Sequence, residues 1–233
     1  VGSGVLIDPL HVLTAGHCVN EGSGGSWASE IVVVPAYENG ARPYGDAVMV
    51  QLHSWTGWTD NGNFDHDIAV IDLDRPIGAI AGWAGYGYHN KPTFFTGNTF
   101  HNPGYPAENP YNGLYMYYRY GSFDYTESLG GRWYGNEVGI FRRSYGGQSG
   151  SGAIYVHGWN LVVGAVLSNG AAFMTNFPRI TSSKYSDIGS FIDNDTPSTF
   201  DLIPLYVQTN PPTIMAGNQL SEMYYLVHNY SSA

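Results

Sequence analysis

Apolar positions in this chain fall in short runs, broken by glycine, proline, asparagine and serine, and almost nowhere at helical spacing. "GVLIDPLHVLTAGH" reads as strand, turn, strand, with Asp8-Pro9 in the turn. "SEIVVVPAY", "DAVMVQLH" and "DIAVIDLD" follow, each short and rich in β-branched residues. Further runs come at "GLYMYYRYG", "GNEVGIFRR", "SGAIYVHG" and "NLVVGAVLS", with His157-Gly158-Trp159-Asn160 as a hairpin connection. Only "SKYSDIGSFIDND" has a helical stripe, with Tyr185, Ile188 and Ile192 on one face and Ser183 or Ser186 as candidate caps. The stretches 55–63 and 86–111 read as loops. Many short strands and one late helix predict an all-β chain of antiparallel barrels or sandwiches.

Composition narrows the function. The 233 residues carry 43% hydrophobic and 12% charged residues, a globular balance. Net charge is −10 with only nine lysines and arginines, scattered, so there is no basic face for nucleic acid. No run of about 20 apolar residues is present to span a membrane as a helix. Cys18 is the single cysteine, which excludes an internal disulfide and a cysteine-based metal site. The sequence begins directly on "VGSGVLIDP", without a secretory leader pattern. Low lysine with abundant Tyr, Asn, Gly and Ser matches many secreted bacterial proteins.

Three pieces carry chemistry. "LTAGHC" ends a strand on His17, "DHDIAVIDL" opens one on Asp67, and Gly147-Gln148-Ser149-Gly150-Ser151 is a glycine-rich turn. A serine hydroxyl is a weak nucleophile without a base beside it, and histidine is suited to that task. A carboxylate on the other imidazole nitrogen fixes the tautomer. The amides of Gly147 and Ser149 would form an oxyanion hole. Each piece alone reads blandly, as a strand end or a flexible turn. His, Asp and Ser in this order, 50 and then 82 positions apart, is what a two-barrel hydrolase requires. Ser151 is the rival nucleophile and Asp65 the rival acid.

"SGVLIDPLHVLTAGHCV", "DHDIAVIDLD", "NPGYPAENP", "GGQSGSGAI" and "PRIT" before the helix together resemble the chymotrypsin/trypsin-like serine proteases, in their bacterial glutamyl-endopeptidase-like branch. The resemblance covers roughly residues 1–195. It implies a double antiparallel β-barrel with a C-terminal helix, and a first barrel lacking its N-terminal strand. It makes His17 the general base, Asp67 its orienting acid and Ser149 the nucleophile. Arg143 and Ser144 would lie at the primary pocket, with Ser168, Asn169 and Gly170 as the wall that binds extended substrate. A buried Arg143 guanidinium there would receive an acidic side chain, whereas an Arg143 turned outward would meet solvent or a nearby carboxylate. The chain departs from the family pattern at three places. Cys18 faces Gly2 instead of a partner cysteine. Gln148 replaces the aspartate that trypsin uses in zymogen activation. Val166 or Leu167 stands where glutamyl endopeptidases carry a histidine. His66, His89, His101 and His157 lack metal-ligand spacing and are expected at the surface.

A polar segment at 196–200 reads as a linker. Residues 201–233, with "PPTIMAG" and "YYLVHNYSSA", resemble the opening strands of a CARDB-type immunoglobulin-like module, too short to complete a β-sandwich. The expectation is therefore a secreted or surface-attached serine endopeptidase, monomeric, acting on proteins or peptides, with no metal or organic cofactor and no nucleic-acid partner. The alternatives are a catalytically inactive homologue that binds through the same cleft, or an adhesion protein using its Tyr- and Trp-rich loops.

Overall fold

The computed structural model describes residues 1–126, 136–194, 202–210 and 222–229. Two compact units emerge, Val1–Ile192 and Asp193–Ala233. In the first, β1 (Val5–Leu6), β2 (His11–Thr14), β3 (Val32–Val33), β4 (Ala47–Ser54) and β5 (Ala69–Leu73) form one sheet in the order β1-β2-β5-β4-β3. The β1–β2 turn is tied by Asp8, whose Oδ1 accepts from the amides of Leu10 (2.7 Å) and His11 (2.8 Å).

The second barrel adds β6 (Gly85–Tyr86), β7 (Phe100–Gly104), β8 (Tyr117–Gly121), β9 (Tyr125–Thr126), β10 (Glu137–Ile140), β11 (Gly152–His157), β12 (Asn160–Val166), β13 (Asn169–Ala171) and β14 (Met174–Pro178). They make two sheets, β6-β12-β11-β7-β8 and β13-β14-β10-β9. The β11–β12 hairpin turns through Gly158-Trp159, with His157 paired to Asn160. The fold is mostly β, a double barrel followed by the helix Ser182–Asn194.

Strands β2 and β5 are buried along their whole length because they are covered on both faces. Val12, Ala69 and Ile71 point into the first barrel with Val19, Ala47 and Ile77. Leu13, Ile68 and Val70 point the other way and meet Val163, Val166, Ile180 and helix residue Ile188. That second cluster packs the barrels together, and each fully buried aliphatic side chain contributes about 1.5–3 kcal/mol. The second barrel's interior is aromatic, around Phe95, Phe100, Phe123 and Phe177.

Some elements differ from the sequence expectation. Strand β7 lies within a stretch expected to be loop. Phe100, Asn102 and Gly104 alternate inward, a two-residue period that His101 and Pro103 disguise. Pro103 is tolerated because pairing with β11 stops at His101. Residues Thr56–Thr59 form a helical turn where a loop was expected. The late helix is capped by Thr181, whose Oγ1 accepts from the Lys184 amide at 3.3 Å, and not by Ser183 or Ser186. In the second unit, β15 (Leu202–Asn210) pairs antiparallel with β16 (Glu222–Asn229). The segment 196–200 lies outside the described residues.

Candidate active site

The antiparallel register of β2 and β5 pairs Thr14 with Ala69. It therefore sets the residue three past one strand's end beside the residue two before the other's start. Those residues are His17 and Asp67. Asp67 Oδ1 accepts the His17 backbone N–H at 2.6 Å, and Oδ2 lies 2.7 Å from His17 Nδ1. The carboxylate can only accept, so Nδ1 carries the hydrogen and Nε2 presents a lone pair. Asp67 is fully buried, while a third of the His17 side chain is exposed. Trp58 packs edge-on against the imidazole, with centroids 6.2 Å apart.

The β10–β11 connection carries Ser149. Gly147 and Gly150 adopt φ of +93° and +83°, a backbone that residues with side chains rarely take. A Cβ on Gly150 would sit 2.1 Å from Thr14 Oγ1 and 2.2 Å from the Ser3 carbonyl, so only glycine lets this turn close on the end of β2. Ser3 N donates to the Ser149 carbonyl at 2.7 Å, and Cys18 Sγ lies 3.8 Å from the same oxygen. The Ser149 turn is thereby held against the His17 segment. Among the described residues, no partner is hydrogen-bonded to the Ser149 hydroxyl or to His17 Nε2. The amides of Gly147 and Ser149 likewise donate to no described residue. Gln148 is buried and closes its own turn, accepting from the Tyr145 amide at 2.9 Å.

The rival residues are engaged elsewhere. Ser151 is fully buried, its Oγ accepting from Asn102 Nδ2 at 3.0 Å. Asp65 Oδ1 accepts the Asn136 amide at 3.1 Å. Cys18 is a free thiol that burial pushes up to about 11, despite a hydrogen bond from Thr14, so it stays protonated near neutrality. His66, expected at the surface, is half-buried, with burial and the Lys184 charge both lowering its pKa.

The candidate specificity residues divide between the surface and the surroundings of Asp67. Arg143 is 48% exposed, pairs with Glu108 and lies 4.8 Å over the Tyr145 ring. It is not a buried, waiting guanidinium, because a carboxylate and an aromatic face satisfy it at the surface. The Ser144 hydroxyl abuts Gly170. Ser168 donates to Asp67 Oδ2, adding a third donor to that carboxylate. Asn169 Nδ2 donates to Ser168 Oγ (3.1 Å) and to Glu137 Oε1 (3.0 Å), while its Oδ1 accepts from Asn176 (2.9 Å). Ser168 and Asn169 thus spend their side chains on the site's interior.

Glu137 was not anticipated. It is 3% exposed at the start of β10, and burial pushes its carboxyl up to about 7. Asp65 and Asp67 push the same way, against the Asn169 hydrogen bond and the Lys184 charge. The ordinary value is 4.5, so the folded chain holds this proton more tightly than the unfolded one. Stability is then greatest below about pH 4.5 on this account and is lost as pH climbs through about 7. Glu137→Gln keeps the acceptor for Asn169 and removes the charge. Its urea midpoint should lose that slope, leaving the variant more stable than the parent at pH 8 by about 3 kcal/mol at most. Parallel profiles for the two proteins would refute this.

Residues 1–109 match the family model described as Trypsin. A glutamyl endopeptidase of Bacillus licheniformis is 35% identical over 106 residues, 46% of this chain and 33% of that protein. An extracellular metalloprotease of Bacillus subtilis is 37% identical over 84 residues, 36% of this chain and 26% of that protein. The chain thus spans a third or less of the curated relatives it matches. Among its described residues, no group of three or more His, Cys, Asp or Glu side chains could hold a metal ion. The crystal structure of AL20, a thermostable serine protease from an extremophilic microorganism, superposes with a TM-score of 0.72 at 24% identity, covering 83% of this chain and 90% of that one. That likeness shows the double-barrel fold.

Proposed function

We propose that this chain, whose residues 1–109 match the Trypsin family model and whose fold is that of the double-barrel serine proteases, is a secreted serine endopeptidase working through His17, Asp67 and Ser149. The observation that carries this reading is the buried Asp67 carboxylate locked onto His17 Nδ1, with the glycine-turned Ser149 segment seated on the same strand end.

The chemistry follows from the donors and acceptors. Ser149 Oγ attacks the scissile carbonyl carbon while its proton passes to His17 Nε2. The carbonyl oxygen gains charge and is met by the Gly147 and Ser149 amides. Collapse breaks the C–N bond, and the amine leaves with the proton held by His17, giving an ester on Ser149. Water then attacks that ester, returning its proton through His17 to the serine. Asp67 holds the ring and faces the imidazolium throughout. No metal or organic cofactor takes part in this scheme, and the substrates are proteins or peptides bound to a monomer.

Secretion is supported by the lysine-poor composition and by the Bacillus subtilis relative, whose name calls it extracellular. Residues 201–233 are read as the opening of a CARDB-type module following a protease domain at 1–195, and the β15–β16 pair supports that reading. A fluorophosphonate probe tests the enzyme directly. The full chain should acquire one adduct, which peptide mass mapping places on Ser149. An unlabelled chain would favour the inactive homologue.

A further inference from the structure

In the second barrel two arginines stand close together without an ion-pair partner among the described residues, Arg119 partly buried and Arg142 exposed. Arg119 on β8 and Arg142 beyond β10 line two adjoining cavities of about 220 and 200 Å³. The larger is lined by Phe100, Phe123 and Phe177 and, beside the two arginines, by Asn102, Tyr120, Ser122 and Asp124. Arg119 Nε donates to Asn102 Oδ1 at 2.8 Å, and its Cζ lies 5.6 Å over the Phe177 ring. Its Nη2 is buried with no hydrogen-bond partner. Asp124 lies on the same cavity, one of its oxygens accepting the Phe141 amide at 2.7 Å, and it forms no ion pair with either arginine. Among the described residues, neither Arg119 nor Arg142 forms an ion pair. Burial, and then the Arg142 charge, pull the Arg119 pKa down to about 10, as expected for a guanidinium without a counter-ion.

Buried donors are nearly always satisfied, and an unpaired charge in an apolar wall is costly. We propose that this cavity binds a carboxylate with an apolar body, its oxygens on Arg119 and Arg142 and its chain among the phenylalanines. A guanidinium meets a carboxylate through paired N–H donors, and the three phenylalanines offer the ligand's carbon chain an aromatic face. The larger cavity contains no triad residue, while the smaller runs up to Gln148, the neighbour of Ser149. Arg119 holds Asn102, which donates to Ser151 Oγ and to the Gly152 carbonyl at 2.9 Å, and Ser151 N donates to the Gln148 carbonyl. An occupant therefore bears on the turn that carries Ser149.

The test is calorimetric titration of the full-length Ser149→Ala protein with sodium hexanoate. A second titration uses a peptide blocked at both ends with one glutamate. Binding of hexanoate alone identifies a free carboxylate as the ligand. Binding of the peptide, displaced by hexanoate, identifies an acidic side chain. In either case Arg119→Gln should weaken binding at least tenfold. Arg142→Gln, at an exposed side chain that leaves the fold intact, should do the same. The proposal fails if neither ligand binds beyond matched sodium chloride, or if Arg142→Gln in a folded protein leaves affinity unchanged. The readout is binding, so a chain without peptidase activity answers the question equally well.

Discussion

Ser149→Ala should lower kcat by about 10⁶-fold while KM stays within a few-fold, as when a triad serine is removed alone. Nothing nearby can replace the hydroxyl. Ser151, two positions on, is sealed in the core with its oxygen held by Asn102. The Cys18 thiol lies near the Ser149 carbonyl, yet burial keeps it protonated at neutral pH. What remains should be a residual acceleration of about 10³-fold over water, supplied by substrate binding and the two turn amides. The burst of acyl-enzyme in pre-steady-state turnover should vanish with the rate. A variant that keeps a tenth of the parental kcat, or keeps the burst, would put the nucleophile elsewhere. The turn itself should survive, because its conformation is imposed by Gly147, Gly150 and the Ser3 amide and not by the serine side chain.

The legible parts of this molecule are those whose causes are local. Strands β2 and β5 announce themselves as unbroken apolar runs because they are packed on both faces, and the catalytic candidates stand at their ends. The β11–β12 hairpin is visible in its two-residue turn. Strand β7 stayed hidden because its inward positions include Asn102 and Gly104, whose burial depends on Arg119 and Ser151 far along the chain. Arg143 reads from the sequence either as a pocket guanidinium or as a surface arginine paired to a carboxylate, and its partner, Glu108, lies 35 residues away on another loop. The Ser168 hydroxyl is turned to an acid 101 positions earlier, a pairing that no local pattern announces. Glu137 carried no local mark at all, since its raised pKa comes first from burial and then from Asp65 and Asp67, which only the folded barrels bring together. Pairings across the barrels decide what a polar residue does, and the local pattern does not encode them.

Asp67, the proposed orienting acid, offers the second large effect. Asp67→Asn should cost about 10⁴-fold in kcat with the fold preserved, the scale seen when an amide replaces this carboxylate in a Ser-His-Asp triad. Asp67 accepts from three donors, the His17 amide, the His17 ring and the Ser168 hydroxyl. An asparagine has one oxygen to offer and an NH2 that must face a donor or turn the ring over. If the NH2 faces the imidazole, Nδ1 becomes the acceptor and Nε2 carries the hydrogen, so the ring cannot take the serine proton. If it faces the other way, it meets the backbone N–H of His17, and a buried donor is left unmade at about 1–3 kcal/mol. Urea midpoints separate the two contributions, since the lost stability should be a few kcal/mol at most while the rate falls by far more. Asp65→Asn is the control. Its carboxylate serves the Asn136 amide, so that exchange should leave kcat within about tenfold. Reversal of the two results, with Asp65 essential and Asp67 dispensable, would show that the imidazole takes its orientation from the wrong carboxylate in this account and would dismantle the triad as drawn.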